Sequence, residues 1–251
     1  MTEPLLRTNG LRKAFGAVQA CDGIELEVQR GELRAIIGPN GAGKTSLISL
    51  LAGELKPDAG VIVFDGAEVT ALPASARAQA GLARSYQITS LFPRFTALQN
   101  VLLAVQAGAG HAFRFWRPAT QERALVEPAE AALARVGLGA RGDVPAGALA
   151  HGEQRQLEIA LALATGPKLL LLDEPTAGMS REETQAMVAL LEGLKRDITI
   201  VLIEHDMDAV FALADSITVL VYGRPIATAA PEAIRNDAAV RAAYLGEQES
   251  V

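Results

Sequence analysis

Apolar residues along this chain change their period several times, and each change predicts a different kind of element. Between residues 5 and 33, short strand-like pieces are broken by Gly10, Gly16, Gly23 and Gly31, and Ile24-Glu25-Leu26-Glu27-Val28 alternates apolar with polar. A period of two puts one set of side chains on each face, so Ile24 to Val28 reads as a half-exposed antiparallel strand. Residues 33–37 are almost continuously apolar and run into a glycine-rich loop; 46–52 then predicts an apolar helix closed by Gly53. Residues 61–64 followed by Asp65-Gly66 predict another strand and a tight turn.

The middle third loses strand alternation. Residues 91–110 are apolar-rich, and 111–117 gather His111, Phe113, Arg114, Phe115, Trp116 and Arg117, which reads as an exposed loop. Pro128 is expected to open a helix, because a first-turn residue needs no backbone donor. Leu133 and Val136 would line one face before Gly137 closes it. From Pro167 onward strands (169–172, 199–203, 216–221) alternate with helices (182–194, 207–214). Alternation of this kind implies crossover connections, hence a mainly parallel sheet covered by helices. The expected fold class is α/β, with an N-terminal antiparallel part and a helical part inserted between two α/β halves.

Composition narrows the choice. Half of the 251 residues are hydrophobic and 21% are charged, so a buried core is expected. The formal net charge of −6 argues against a whole-chain nucleic-acid binder. The only cysteine, Cys21, can form no internal disulfide and reads as a small packing residue suited to a reducing compartment. The longest apolar runs, at 169–172 and 198–203, are strand-sized and far short of a spanning helix, so any membrane role is expected to come through a partner.

Two motifs carry chemistry. Gly38-Pro39-Asn40-Gly41-Ala42-Gly43-Lys44-Thr45 fits G-x-x-x-x-G-K-[ST] between a predicted strand and a predicted helix. Glycines let the backbone curl so that N–H groups point at phosphate oxygens, and the helix adds its positive end. Lys44 would reach the outer phosphates, and the Thr45 hydroxyl would ligate Mg2+. Further on, Leu169-Leu170-Leu171-Leu172 ends in Asp173 and Glu174. Beside a phosphate loop, Asp173 is expected to hold the metal through its water shell, and Glu174 to act as general base on the attacking water.

With these motifs the chain resembles the ATP-binding cassette (ABC) transporter ATPases over nearly its whole length. The resemblance implies a P-loop NTPase (RecA-like) core at 1–86 with an antiparallel β subdomain, and a helical subdomain at 87–164. It implies a second part of the core at 165–229 and a helical tail at 230–251. Phe15 matches the position that stacks on adenine, and the nucleotide-binding stretch runs on to Ser46. Gln87 matches the glutamine that senses metal and water and links to the membrane partner. Leu149-Ala150-His151-Gly152-Glu153 sits where the family signature belongs, acting on the ATP of a second subunit. Ala150 and His151 depart from the usual serine and glycine, which removes a side-chain hydroxyl from that contact. Ala177-Gly178-Met179-Ser180 follows the acidic strand, with Ser180 in place of a common acidic residue, and His205 matches the switch histidine.

Arg84-Ser85-Tyr86-Gln87, His151 to Arg155, Ile203 to Met207 and the ending Ala243-Tyr244-Leu245-Gly246-Glu247 resemble the branched-chain (hydrophobic) amino acid importer branch. That branch implies ATP and Mg2+ as cofactors, a second cassette, identical or related, separate permeases, and indirectly a periplasmic solute-binding protein. It implies a chain held peripherally on the cytoplasmic face of the inner membrane, without an added regulatory domain. Leu91, Phe92 and Phe95 are candidates for the permease-facing groove. Urea or short-amide importers, lipopolysaccharide exporters and iron–sulfur assembly ATPases share much of this pattern.

Overall fold

The computed structural model describes residues 3–85, 91–108 and 122–245. Two sheets organise the fold. Strands β1 (Leu6–Phe15) and β2 (Val18–Val28) form a long antiparallel hairpin, extended by β4 (Ala59–Phe64) and β5 (Ala67–Glu68) in the order β2-β1-β4-β5. The alternation at 24–28 is realised, with Ile24, Leu26 and Val28 buried and Glu25 and Glu27 exposed. Gly10 and Gly23 do not break this segment as expected. Both have positive φ and sit where the β1–β2 register shifts, so each is accommodated as an irregularity within a continuous strand. Cys21 is buried within β2, and desolvation pushes its thiol pKa up to about 12, as suits a packing residue.

The second sheet has the order β10-β9-β3-β8-β7-β6, built from β3 (Leu33–Ile37), β6 (Leu82–Arg84), β7 (Leu169–Asp173), β8 (Thr199–Ile203), β9 (Ser216–Val221) and β10 (Arg224–Ala229). All neighbours are parallel except β9 and β10. Every residue of β3, β7 and β8 is buried, as a sheet covered on both faces requires. Alternate side chains serve different cores. Leu170, Leu172, Ile200 and Leu202 face a helical cluster, whereas Leu169, Leu171, Val201 and Ile203 pack with the antiparallel sheet and with α1 (Lys44–Ala52).

The helical cluster is formed by α3 (Ala97–Gly108), α4 (Arg123–Arg135) and α5 (His151–Leu163), packed against α6 (Arg181–Leu194). Pro128 does not open α4. It lies inside the helix, well past its first turn. The ring is on the solvent side, and the carbonyl that loses its N–H partner belongs to exposed Ala124, where water can satisfy it. Leu133 and Val136 are buried as expected, and Gly137 follows with φ 82°. The chain also forms α2 (Ala74–Ala80), α7 (Met207–Leu213), α8 (Pro231–Asn236) and α9 (Ala238–Leu245). No helix among the described residues is long and apolar enough to cross a membrane.

Candidate functional site

The loop at 38–45 leaves the buried end of β3 and enters α1. Two of its glycines are fixed by close packing. A Cβ on Gly38, at φ 152°, would meet the Leu220 carbonyl oxygen at 2.1 Å, and one on Gly43, at φ 100°, would meet that of Ala20 at 2.0 Å. The loop is thus wedged between the β9 end and β2. Gly223 N–H donates to the Ala42 carbonyl at 2.9 Å, which ties the β9–β10 turn to the same loop. Lys44 is buried, and its Nζ donates to the carbonyls of Gly38 at 2.5 Å and Pro39 at 3.0 Å. The ammonium is therefore held over the curl of the loop.

The helix behind the loop is anchored from both ends. Leu47, Ile48, Leu50 and Leu51 are wholly buried, each contributing about 2 kcal/mol of apolar transfer. At its C-terminus, Arg77 of α2 is 1% exposed and donates to the carbonyls of Leu50 and Leu51 at 2.7 and 2.8 Å. The same guanidinium reaches the carbonyls of Leu72 and Thr70. Burial pushes its pKa down, yet the cation ends the helix where the dipole favours positive charge.

Phe15, Val18, residues 40–46, Glu174 and His205 line one open cleft of ≈ 310 Å³. Phe15 is 49% exposed there, with Lys13 Nζ 5.6 Å from its ring centre. Glu174 follows the end of β7 at φ 52°, and its N–H donates to the Ile203 carbonyl at 2.9 Å. That bond brings the end of β7 beside the end of β8, and the Glu174 carboxylate is directly paired with His205 Nε2. Asp173 is buried at the strand end, with Arg84 Nη2 at 2.9 Å from Oδ2. Burial raises its pKa most; Arg84 opposes this and adjacent Glu174 adds to it. Arg84 also donates to Ser49 Oγ at 2.9 Å and pairs with Glu54, linking Asp173 to α1.

None of residues 149–153 lines that cleft. Leu149 is buried and Ala150 caps the N-terminus of α5 without a side-chain acceptor. Glu153 supplies what Ala150 lacks: its Oε2 accepts from Ala150 N–H at 2.9 Å, and Arg141 pairs with it. Glu183, on α6, accepts from Gly152 N–H at 3.1 Å and from Ser180 N–H at 2.9 Å. His151 Nε2 lies 3.5 Å from the Ala177 carbonyl oxygen. Gln87 and residues 111–117 lie outside the described residues. Of the proposed groove residues, Phe92 and Phe95 are exposed, with ring centres 5.4 Å apart, whereas Leu91 is partly buried against the helical core.

No motif in the linear sequence marks Arg77, Glu183 or Glu204 for a role, and Arg84 stands out only within Arg84-Ser85-Tyr86-Gln87. Glu204 is 4% exposed and accepts from the Thr176 N–H and hydroxyl at 2.8 and 2.7 Å and from His205 N–H at 3.1 Å. Its one sequence signal is a carboxylate placed directly after the apolar run Ile200-Val201-Leu202-Ile203, a position where burial demands partners.

Residues 21–177 match the ABC transporter family, and residues 224–250 match the family described as branched-chain amino acid ATP-binding cassette transporter. The chain is 40% identical to the high-affinity branched-chain amino acid transport ATP-binding protein BraF of Pseudomonas aeruginosa, over 98% of this chain and 100% of that protein. It is 39% identical to LivG of Escherichia coli, a protein of the same description, with the same coverage. Among solved structures, the ADP conformation of the ATP-binding cassette MJ1267 of an ABC transporter aligns with a TM-score of 0.86 at 30% identity, covering 98% of this chain and 100% of that one. A family match across most of the cleft-forming residues, together with full-length identity of this order, places the chain in a single lineage: it belongs to the ABC transporter family, as an ATP-hydrolysing cassette subunit.

Proposed function

We propose that this chain powers an importer of branched-chain or other hydrophobic amino acids, by binding MgATP in the Phe15–His205 cleft. The observation that carries the reading is that one cleft gathers an exposed aromatic ring, the 40–46 loop, Glu174 and His205. Phe15 offers a face for adenine. The loop N–H groups, the first turn of α1 and Lys44 hold the phosphates. Glu174 takes the proton of the attacking water, and His205 orients that carboxylate and faces the terminal phosphate.

The oxygen donors fit magnesium, since the Thr45 hydroxyl and the Asp173 carboxylate are hard ligands and this ion keeps several waters. When bound, Mg2+ would neutralise charge on the outer phosphates. Gln87 is proposed as the link between this region, the metal's water shell and the permease.

Residues 149–153 are proposed to act on the nucleotide of a second cassette, with the N-terminus of α5 facing the terminal phosphate. Two chains would then close head to tail around two ATP molecules, moving permeases that contact the Phe92–Phe95 face from the cytoplasmic side of the inner membrane. The amino acid class is supported by the match at 224–250 and by the names of the full-length relatives. Affinity capture of the tagged chain from detergent-solubilised membranes tests the transport assignment. Multi-spanning permeases should co-purify; recovery of soluble scaffold proteins alone would overturn it.

A further inference from the structure

We propose that Glu204 is a positioning residue for ATP hydrolysis, its buried carboxylate fixing the segment after Glu174 against the backbone of His205. This rests on the roles given above to Glu174 and His205. Strands β7 and β8 are parallel neighbours up to Asp173 and Ile203, and the Glu174 N–H to Ile203 carbonyl bond is the next link. Beyond it both segments turn away from the sheet, and Glu174 does so in a left-handed conformation that bulky side chains rarely adopt. Something must hold the two turns in register where the chemistry occurs.

Glu204 spans that gap. One oxygen accepts both donors of Thr176, two residues beyond Glu174, and the other accepts His205 N–H. The Thr176 segment is itself closed on Glu174 by the Ala177 N–H to Glu174 carbonyl bond at 3.1 Å. A carboxylate withdrawn from water is unfavourable unless its oxygens are satisfied, and here three donors converge on it. Charge-assisted bonds of this kind are short and directional, so they restrain position more tightly than an apolar contact would. Through them a shift of either turn is transmitted to the pair formed by Glu174 and His205. Misplacement of a reacting group by about 1 Å can cost about 100-fold in rate.

The test is MgATP binding and steady-state hydrolysis by the full chain carrying Glu204→Gln or Thr176→Val. The amide introduced by Glu204→Gln would oppose an N–H or O–H donor with another donor, whereas Thr176→Val removes one hydroxyl and keeps the backbone bond. The expected result is a kcat at least about tenfold lower for Glu204→Gln and a smaller loss for Thr176→Val. The Kd for MgATP should stay within about threefold of the parent in both. Unchanged kcat in both variants would overturn the proposal. So would a parallel loss of nucleotide affinity, kcat and thermal midpoint in Thr176→Val, the outcome of a merely structural role. If Glu204→Gln does not fold, Thr176→Val alone decides. A parent chain without any ATPase activity would instead sink the underlying reading of the cleft.

Discussion

Lys44 and Arg77 hold opposite ends of one short helix, yet only the first is visible in the sequence. Lys44 belongs to a fixed spacing whose proposed chemistry is local: glycine, lysine and threonine would act on one ligand within eight residues. Arg77 acts on carbonyls 26 and 27 positions away, Glu204 on Thr176 28 away, and Glu183 on Gly152 31 away. Those partnerships exist only after folding, so no linear pattern could announce them. Arg77→Ala should lower unfolding free energy by about 3 kcal/mol, since buried carbonyls would lose their donor; Arg77→Lys should recover part of it. Chemical denaturation of the full chain measures this, and a change below about 0.5 kcal/mol would remove Arg77 from the support of α1.

At the scale of elements, the apolar pattern is most legible where a buried strand is a nearly continuous run of apolar residues. β3, β8 and β9 were legible end to end because parallel strands covered on both faces are nearly continuous apolar runs. Glycines and prolines misled because their tolerance depends on surroundings: Gly10 and Gly23 ride irregularities in a hairpin, and Pro128 faces water. The N-termini of α5 and α6 offer a pH test. Hydrogen bonding from the Ala150 N–H, then Arg141, holds Glu153 below the usual glutamate value of 4.5, and the Ser180 backbone N–H does the same for Glu183. A depressed carboxylate contributes stability that is full above 4.5 and fades as pH falls through the folded-state value. Hydrogen-exchange protection of the Ala150, Gly152 and Ser180 amides should therefore hold steady from neutral pH to about 5 and drop at lower pH. Protection that rises on acidification would contradict these caps.

For the whole molecule, the cleft at 40–46 and the α5 N-terminus are separate features of one chain, and residues 149–153 contribute nothing to its own cleft. An isolated chain should accordingly bind ATP readily and hydrolyse it slowly, because on the proposed reading each site is completed by a second copy of this chain. The role proposed for residues 149–153 makes this a demanding case: Ala150 offers no hydroxyl, so on that proposal phosphate contact falls to the backbone and helix dipole of α5. Glu174→Gln isolates the question, since it removes the proposed general base while leaving the phosphate loop and α5 intact. The direct measurement is the molar mass of that variant by light scattering, with and without MgATP, alongside its ATPase rate. The account predicts a monomer that becomes a dimer on MgATP, with turnover at least about 100-fold below the parent chain; a monomer at saturating MgATP, or turnover at the parent rate, would contradict it.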